Sequence, residues 1–197
     1  MLLKDSNIYI IYKVGLPGKG RGMVTLIYGG SASGKSQFAE DTICSLCKGN
    51  KYYIATMKVG DDEENIERVK KHREQRKNKG FETIECPNDL KSAIPQMSKS
   101  KNALLECVSN LVANEMFFNG EIIGKEDTVE KVVCGIKELA DFCDNLVIVS
   151  NNIFESDSEY DDITLSYMQA LGEVNAEIAK IADEVYEVTV GISLRIK

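Results

Sequence analysis

Nowhere in these 197 residues does an apolar run approach the length needed to cross a bilayer, and no signal peptide is predicted. The expected location is therefore cytoplasmic. Positive charge is in short supply: 24 Lys and Arg stand against 31 Asp and Glu, a net charge of −7. That balance argues against nucleic acid or an anionic membrane as a general partner. Any phosphate this chain binds must be held by local geometry rather than by a global field. The six cysteines form no framework, and Cys44-x-x-Cys47 has no second pair to complete a zinc site. Reduced thiols, partly buried, are the expectation. There is one histidine, His72, and neither an internal repeat nor a low-complexity tract. The length suits one well-buried core and is short for two.

What the sequence does contain is Gly29-Gly30-Ser31-Ala32-Ser33-Gly34-Lys35-Ser36, a match to G-x-x-x-x-G-K-[ST]. The apolar run Val24 to Tyr28 before it suits a buried strand, and Gln37 to about Lys48 after it reads as a helix. Glycines let the backbone bend so that successive N–H groups face phosphate oxygens, and the helix N-terminus adds partial positive charge. Lys35 reaches terminal phosphates in such a loop, and the Ser36 hydroxyl ligates Mg²⁺. A Gly/Ser-rich turn that only caps a helix would not require Lys35 and Ser36 together.

Residues 1–22 read as an N-terminal appendage, or an upstream start, ahead of a single domain over 23–197. Strands are expected at Tyr52–Ala55, Thr83–Glu85, Ala103–Glu106 and Leu146–Ser150. Helices are expected at 61–79, 89–98, from 107 through Phe118, 128–143 and 162–183. Tyr167, Leu171, Val174, Ile178 and Ile181 fall at three- and four-residue spacing, giving the last helix one packing face. Val185–Val190 and Ser193–Ile196 read as two final strands with Gly191 at the turn. The alternation implies an α/β fold of the P-loop type: a mainly parallel sheet with helices on both faces and an antiparallel hairpin at the C-terminus.

The 61–79 segment begins with Asp61-Asp62-Glu63-Glu64 and ends in Lys and Arg, an order that suits the helix dipole. Its apolar anchors, Ile66 and Val69, lie in the first half, so the second half is expected to project into solvent or over a ligand. Arg68, His72 and Arg76 recur every four residues and share one face. That face suits a polyphosphate, with cationic neighbours holding the imidazole neutral, as a nucleophile requires. A solvated basic face with an incidental histidine is the alternative. Glu106, at the end of a buried strand, is either a carboxylate that helps hold Mg²⁺ or an ordinary strand-end acid. Glu85 stands in the same relation to a shorter strand.

Taken together these pieces resemble the bifunctional adenosylcobinamide kinase and adenosylcobinamide-phosphate guanylyltransferase family of cobalamin biosynthesis, from about Met23 to Lys197. The stretches that carry the resemblance are Tyr28 to Glu40, Tyr53-Ile54-Ala55-Thr56, Arg68 to Arg76 with Thr83-Ile84-Glu85, Leu104-Leu105-Glu106-Cys107 with Asn110-Leu111, and Gly172-Glu173-Val174-Asn175 through Ala182-Asp183-Glu184-Val185. The phosphate loop alone is generic, whereas the histidine segment and the Leu-Leu-Glu-Cys in this order are specific.

The resemblance implies that His72 attacks the α-phosphorus of GTP and carries GMP, with Lys35 as the other catalytic group. It implies nucleotide contacts from Gly29, Gly30, Ser31, Ala32, Ser33, Gly34, Lys35, Ser36, Ala55, Thr56, Met57, Arg73, Glu74, Gln75, Arg76, Glu85 and Glu106. Ser36 and Glu106 would hold Mg²⁺. ATP or GTP would first phosphorylate adenosylcobinamide, and GMP transfer to adenosylcobinamide phosphate would then give adenosylcobinamide-GDP. A homo-oligomer, a ring-like trimer, is also implied. Two readings from other classes stay open: a P-loop kinase of another small molecule, and a nucleotide-binding regulatory module without turnover. The chain departs from the family pattern at Ala32, Lys77, Phe81, Asn152 and Phe154, in the acidic stretch from Glu155 to Asp162, and at Leu165, Tyr167 and Met168. None of these touches His72 or Lys35.

Overall fold

The computed structural model describes residues 22–58, 76, 79–153 and 160–197. The expected appendage (up to Arg21), most of the 61–79 helix with Arg68, His72, Arg73, Glu74 and Gln75, and most of the acidic stretch after Phe154 lie outside the described residues.

Seven strands form one sheet in the order β3-β2-β4-β7-β1-β8-β9. These are β1 (Met23–Gly29), β2 (Lys51–Ala55), β3 (Phe81–Glu85), β4 (Asn102–Glu106), β7 (Asn145–Asn151), β8 (Glu184–Thr189) and β9 (Ile192–Arg195). Only β9 runs antiparallel, folding back on β8. The parallel strands are buried on both faces, which is why they read as continuous apolar runs. In β7 every residue from Leu146 to Val149 has zero exposure; Leu146 and Ile148 join one apolar cluster, Val147 and Val149 the other. The first cluster is covered by α2 (Val108–Met116), α3 (Lys125–Phe142), α4 (Asp162–Ile181) and a 3-10 turn (Leu90–Gln96). The second is covered by α1 (Lys35–Leu46), through Phe38, Ala39 and Ile43. Among the described residues no helix is long and apolar enough to cross a membrane.

Asp183 fixes the start of β1. Its Oδ2 accepts from the Val24 amide at 2.8 Å, and its own amide donates to the Val24 carbonyl at 2.8 Å.

Three elements differ from expectation. The helix expected to run through Phe118 stops at Met116, and Phe117–Phe118 (β5) pairs with Glu121–Ile122 (β6). The turn between them is Asn119-Gly120, both with positive φ, and Asn-Gly is the strongest short hairpin signal in a sequence. The segment from Asp89 is a 3-10 turn containing Pro95, which lacks the N–H an α-helix would need there. α3 begins at Lys125, three residues before the expected Thr128.

Candidate functional site

All parallel strands deliver their carboxyl ends to one edge of the sheet, the edge where ligands bind in open α/β folds. The phosphate loop, 29–36, leaves β1 at the centre of that edge. Gly29 is required there because a Cβ would lie 2.4 Å from the Val188 carbonyl oxygen on β8. Gly34 takes φ +93 and is the N-cap of α1, so no side chain caps that helix. The first amides of α1 therefore remain available for an anion. Ala32 also has a positive φ, of 55°. The loop is braced from the C-terminal hairpin: the Gly191 amide donates to the Ser33 carbonyl at 2.8 Å.

Lys35 is 8% exposed, and its Nζ donates to the Gly30 carbonyl at 2.9 Å, so the ammonium lies curled into the loop. The Ser36 hydroxyl donates to Oε1 of Glu106 at 2.5 Å. The other carboxylate oxygen, Oε2, is buried with no hydrogen-bond partner. A carboxylate oxygen orphaned beside a loop serine is the donor chemistry a hard divalent cation takes. Among the described residues no three His, Cys, Asp or Glu side chains converge on a metal position.

The expected residues of the neighbouring strands assemble on the same edge. Ala55 is the register partner of both Glu85 on β3 and Glu106 on β4, which sets the two carboxylates on either side of β2. Thr56 is fully buried. Its hydroxyl donates to the Cys107 carbonyl at 2.8 Å and accepts from the Cys107 amide at 2.7 Å. That side chain clamps the ends of β2 and β4 together. The Asn114 amide secures the Thr56 carbonyl at 2.7 Å and that of Pro87 at 3.0 Å. Met57 is half-buried just beyond the strand.

Arg76 lies near the end of the segment expected to project into solvent or over a ligand, and at this residue the structure excludes the first of these. It is 5% exposed, with its guanidinium carbon 3.4 Å from the centroid of the Tyr53 ring. Its Nε and Nη1 are buried without hydrogen-bond partners. Three residues on, Lys79 pairs with the buried Glu40 of α1 at 2.6 Å.

Tyr53, which opens the Tyr53-Ile54-Ala55-Thr56 stretch, is not among the candidate site residues read from the sequence, because a tyrosine in a buried strand reads as core. Its ring lies against Arg76, and burial first, then the Glu106 charge, pushes its hydroxyl well above the ordinary range, so it remains a neutral phenol. The Cys107 thiol is also raised by burial and offers no thiolate at neutral pH. Asn151, at the end of β7 between the phosphate-loop strand and the Glu106 strand, donates to Ser109 Oγ at 2.7 Å.

Comparison with known proteins places the chain in a family. The family model described as cobinamide kinase / cobinamide phosphate guanyltransferase matches residues 25–196. The bifunctional adenosylcobalamin biosynthesis protein CobU of Escherichia coli is 30% identical over 188 residues, covering 89% of this chain and 100% of that protein. The protein of the same name from Salmonella typhimurium has the same identity and coverage. In fold alone, the chain is similar to the flagellar accessory protein FlaH of Methanocaldococcus jannaschii, with a TM-score of 0.50 at 11% identity, covering 90% of this chain and 79% of that one. The chain belongs to the cobinamide kinase / cobinamide phosphate guanyltransferase family.

Proposed function

We propose that this chain is a bifunctional enzyme of cobalamin biosynthesis that phosphorylates adenosylcobinamide and then guanylylates adenosylcobinamide phosphate. The observation that carries the reading is the Ser36–Glu106 pair beside a complete phosphate loop, in a chain of this family.

In the kinase half, the α1 amides and Lys35 hold the phosphates of ATP or GTP, and Arg76 offers two further N–H donors. Mg²⁺ held by Ser36 and Glu106 would neutralise charge developing on the phosphate oxygens. The γ-phosphoryl group passes to the aminopropanol hydroxyl of adenosylcobinamide. In the transferase half, a neutral His72 imidazole attacks the α-phosphorus of GTP. A P–N bond forms, the P–O bond to the β-phosphate breaks, and pyrophosphate leaves. A phosphate oxygen of adenosylcobinamide phosphate then attacks the same phosphorus and the P–N bond breaks, releasing adenosylcobinamide-GDP and free imidazole. Splitting one displacement into two lowers each barrier and retains configuration at phosphorus. Loop positions 29–36, with Ala55, Thr56, Met57, Arg73, Glu74, Gln75, Arg76, Glu85 and Glu106, form the nucleotide site in this reading.

A homo-oligomer, a trimer, is part of the same proposal. Ile192 and Leu194 on β9, and Ile196 just beyond it, are 70%, 63% and 60% exposed, on an edge strand suited to burial against another copy.

The test is incubation with Mg²⁺ and GTP radiolabelled at its α-phosphorus. The expected result is label on the protein through an acid-labile, alkali-stable bond, absent in His72→Ala. Substrate-dependent loss of γ-label with no retained α-label would instead make the chain a kinase alone.

A further inference from the structure

Arg76 and Glu106 are an oppositely charged pair that does not pair. Arg76 is 95% buried by the measure of its 5% exposure, with Nε and Nη1 unpartnered, while Glu106 Oε2 is buried and unpartnered as well. Buried opposite charges in reach of one another ordinarily close into an ion pair, because each alone bears its full desolvation cost. Both act on one side chain. The guanidinium carbon lies 3.4 Å from the Tyr53 ring centroid, a stacking distance. The Tyr53 hydroxyl lies close enough to the Glu106 carboxylate to feel it both by charge and as a hydrogen-bonding neighbour, and the Arg76 cation acts on it in the opposite sense.

The ring on which the guanidinium stacks is itself fixed. Tyr53 is 6% exposed on β2, the strand directly beside β4. Phe81 of β3 packs edge-on against it, with centroids 6.2 Å apart and planes at 90°. The ring cannot swing aside without opening that packing. Its face offers the guanidinium a weak electrostatic partner that leaves the N–H groups available.

We propose that Tyr53 is a positioning residue whose ring holds Arg76 away from Glu106, keeping the guanidinium open for a nucleotide phosphate and the carboxylate open for a divalent cation. Without the ring, the two charges neutralise each other and the site loses its anion and cation subsites together. This inference rests on the reading of the cleft as a nucleotide site.

The experiment measures GTP affinity by titration calorimetry in EDTA, so that the metal role of Glu106 is out of play. The proteins are the native chain, Tyr53→Phe, Tyr53→Met, Tyr53→Leu, and Tyr53→Leu combined with Glu106→Gln. Tyr53→Phe keeps the ring and is expected to bind within about threefold of native. Tyr53→Leu and Tyr53→Met are expected to bind at least about tenfold more weakly, as Arg76 closes onto Glu106. Adding Glu106→Gln to Tyr53→Leu removes the competing charge and restores most of the lost affinity, which a merely structural role of Tyr53 would not do. A Leu or Met variant that binds like native overturns the proposal. So does a double variant no tighter than Tyr53→Leu, or a tenfold loss in Tyr53→Phe, which would place the effect in the hydroxyl. Tyr53→Met and Tyr53→Phe keep the test decisive if Tyr53→Leu does not fold. If the native chain binds no GTP even when Mg²⁺ is restored, the nucleotide-site reading itself falls; if native binds and the variants do not differ, only the role of Tyr53 falls.

Discussion

The hydroxyl of Ser36 reaches Oε1 of Glu106 across 2.5 Å, tying the first turn of α1 to the end of β4, a strand separated from β1 by β7. The contact spans the edge of the sheet, and in the proposed function Ser36 and Glu106 are the residues that would hold Mg²⁺. Mg²⁺ is therefore expected to tighten GTP binding by at least about tenfold in the native chain, the effect of one charge-assisted contact. In Ser36→Ala and Glu106→Gln the same comparison should give less than about threefold. Calorimetric titrations of GTP with and without Mg²⁺ decide it, and an undiminished metal effect in both variants would move the cation elsewhere.

Lys35 is held by the Gly30 carbonyl at 2.9 Å within the loop. Exchanging that neutral acceptor for a phosphate turns an ordinary hydrogen bond into one between full charges, worth about 1.5–3 kcal/mol. Lys35→Ala should weaken GTP binding by about ten- to a hundredfold. The melting temperature should hardly move, because the half-buried Gly30 carbonyl can turn to water. A variant that melts early in proportion to its lost affinity would show that Lys35 supports the loop rather than the ligand.

Thr56 separates stability from binding. Its hydroxyl serves both the amide and the carbonyl of Cys107, at 2.7 and 2.8 Å, in a fully buried position. Thr56→Val keeps the shape but leaves the buried amide without an acceptor, a cost of about 1–3 kcal/mol. Thr56→Ser should recover most of it. Urea denaturation of the three proteins measures the difference, with GTP affinity of the folded Val variant staying within about threefold of native. A tenfold loss of affinity at unchanged stability would place the hydroxyl on the nucleotide instead.

The phosphate loop, the parallel sheet and the antiparallel ending could all be read from local pattern: a glycine motif between an apolar run and a helix, and strands with apolar residues on both faces. Glu106 could be placed at a strand end for the same reason. Pairings between distant segments could not be read this way. Nothing near Tyr53 in the sequence announces Arg76, and nothing near Thr56 announces Cys107: Arg76 leads into β3 on one side of β2, and Cys107 follows β4 on the other. The Gly191–Ser33 contact likewise requires the strand order that lays β8 against β1. The hairpin at Asn119-Gly120 was local and legible, and was hidden only by helix-like residues running up to it. The burial of Arg76 could not be read from the absence of apolar anchors around it, because a guanidinium can lie buried on an aromatic face supplied by another strand.

Alkaline pH should erode stability through a residue far from the chemistry. Cys143 caps α3 ahead of β7 and is 2% exposed; burial, then the neighbouring Asp144 charge, raises its thiol from 9.0 to about 12. In the unfolded chain that thiol ionises above about pH 9, while in the folded chain it keeps its proton until about pH 12. Between those values the folded state binds more protons, so stability falls as pH rises, by about 1.4 kcal/mol per unit for this one group. Tyr167, raised to about 12 by burial, and the buried thiols of Cys86 and Cys107 push in the same direction. Cys143→Ala removes one contributor: the variant is expected to be less stable at neutral pH, with the gap to native closing by about 1.4 kcal/mol for each unit above pH 9. Urea denaturation of both proteins at intervals from pH 7 to pH 11 follows the gap directly. Curves that stay parallel across that range would mean that Cys143 ionises alike in the folded and unfolded chain.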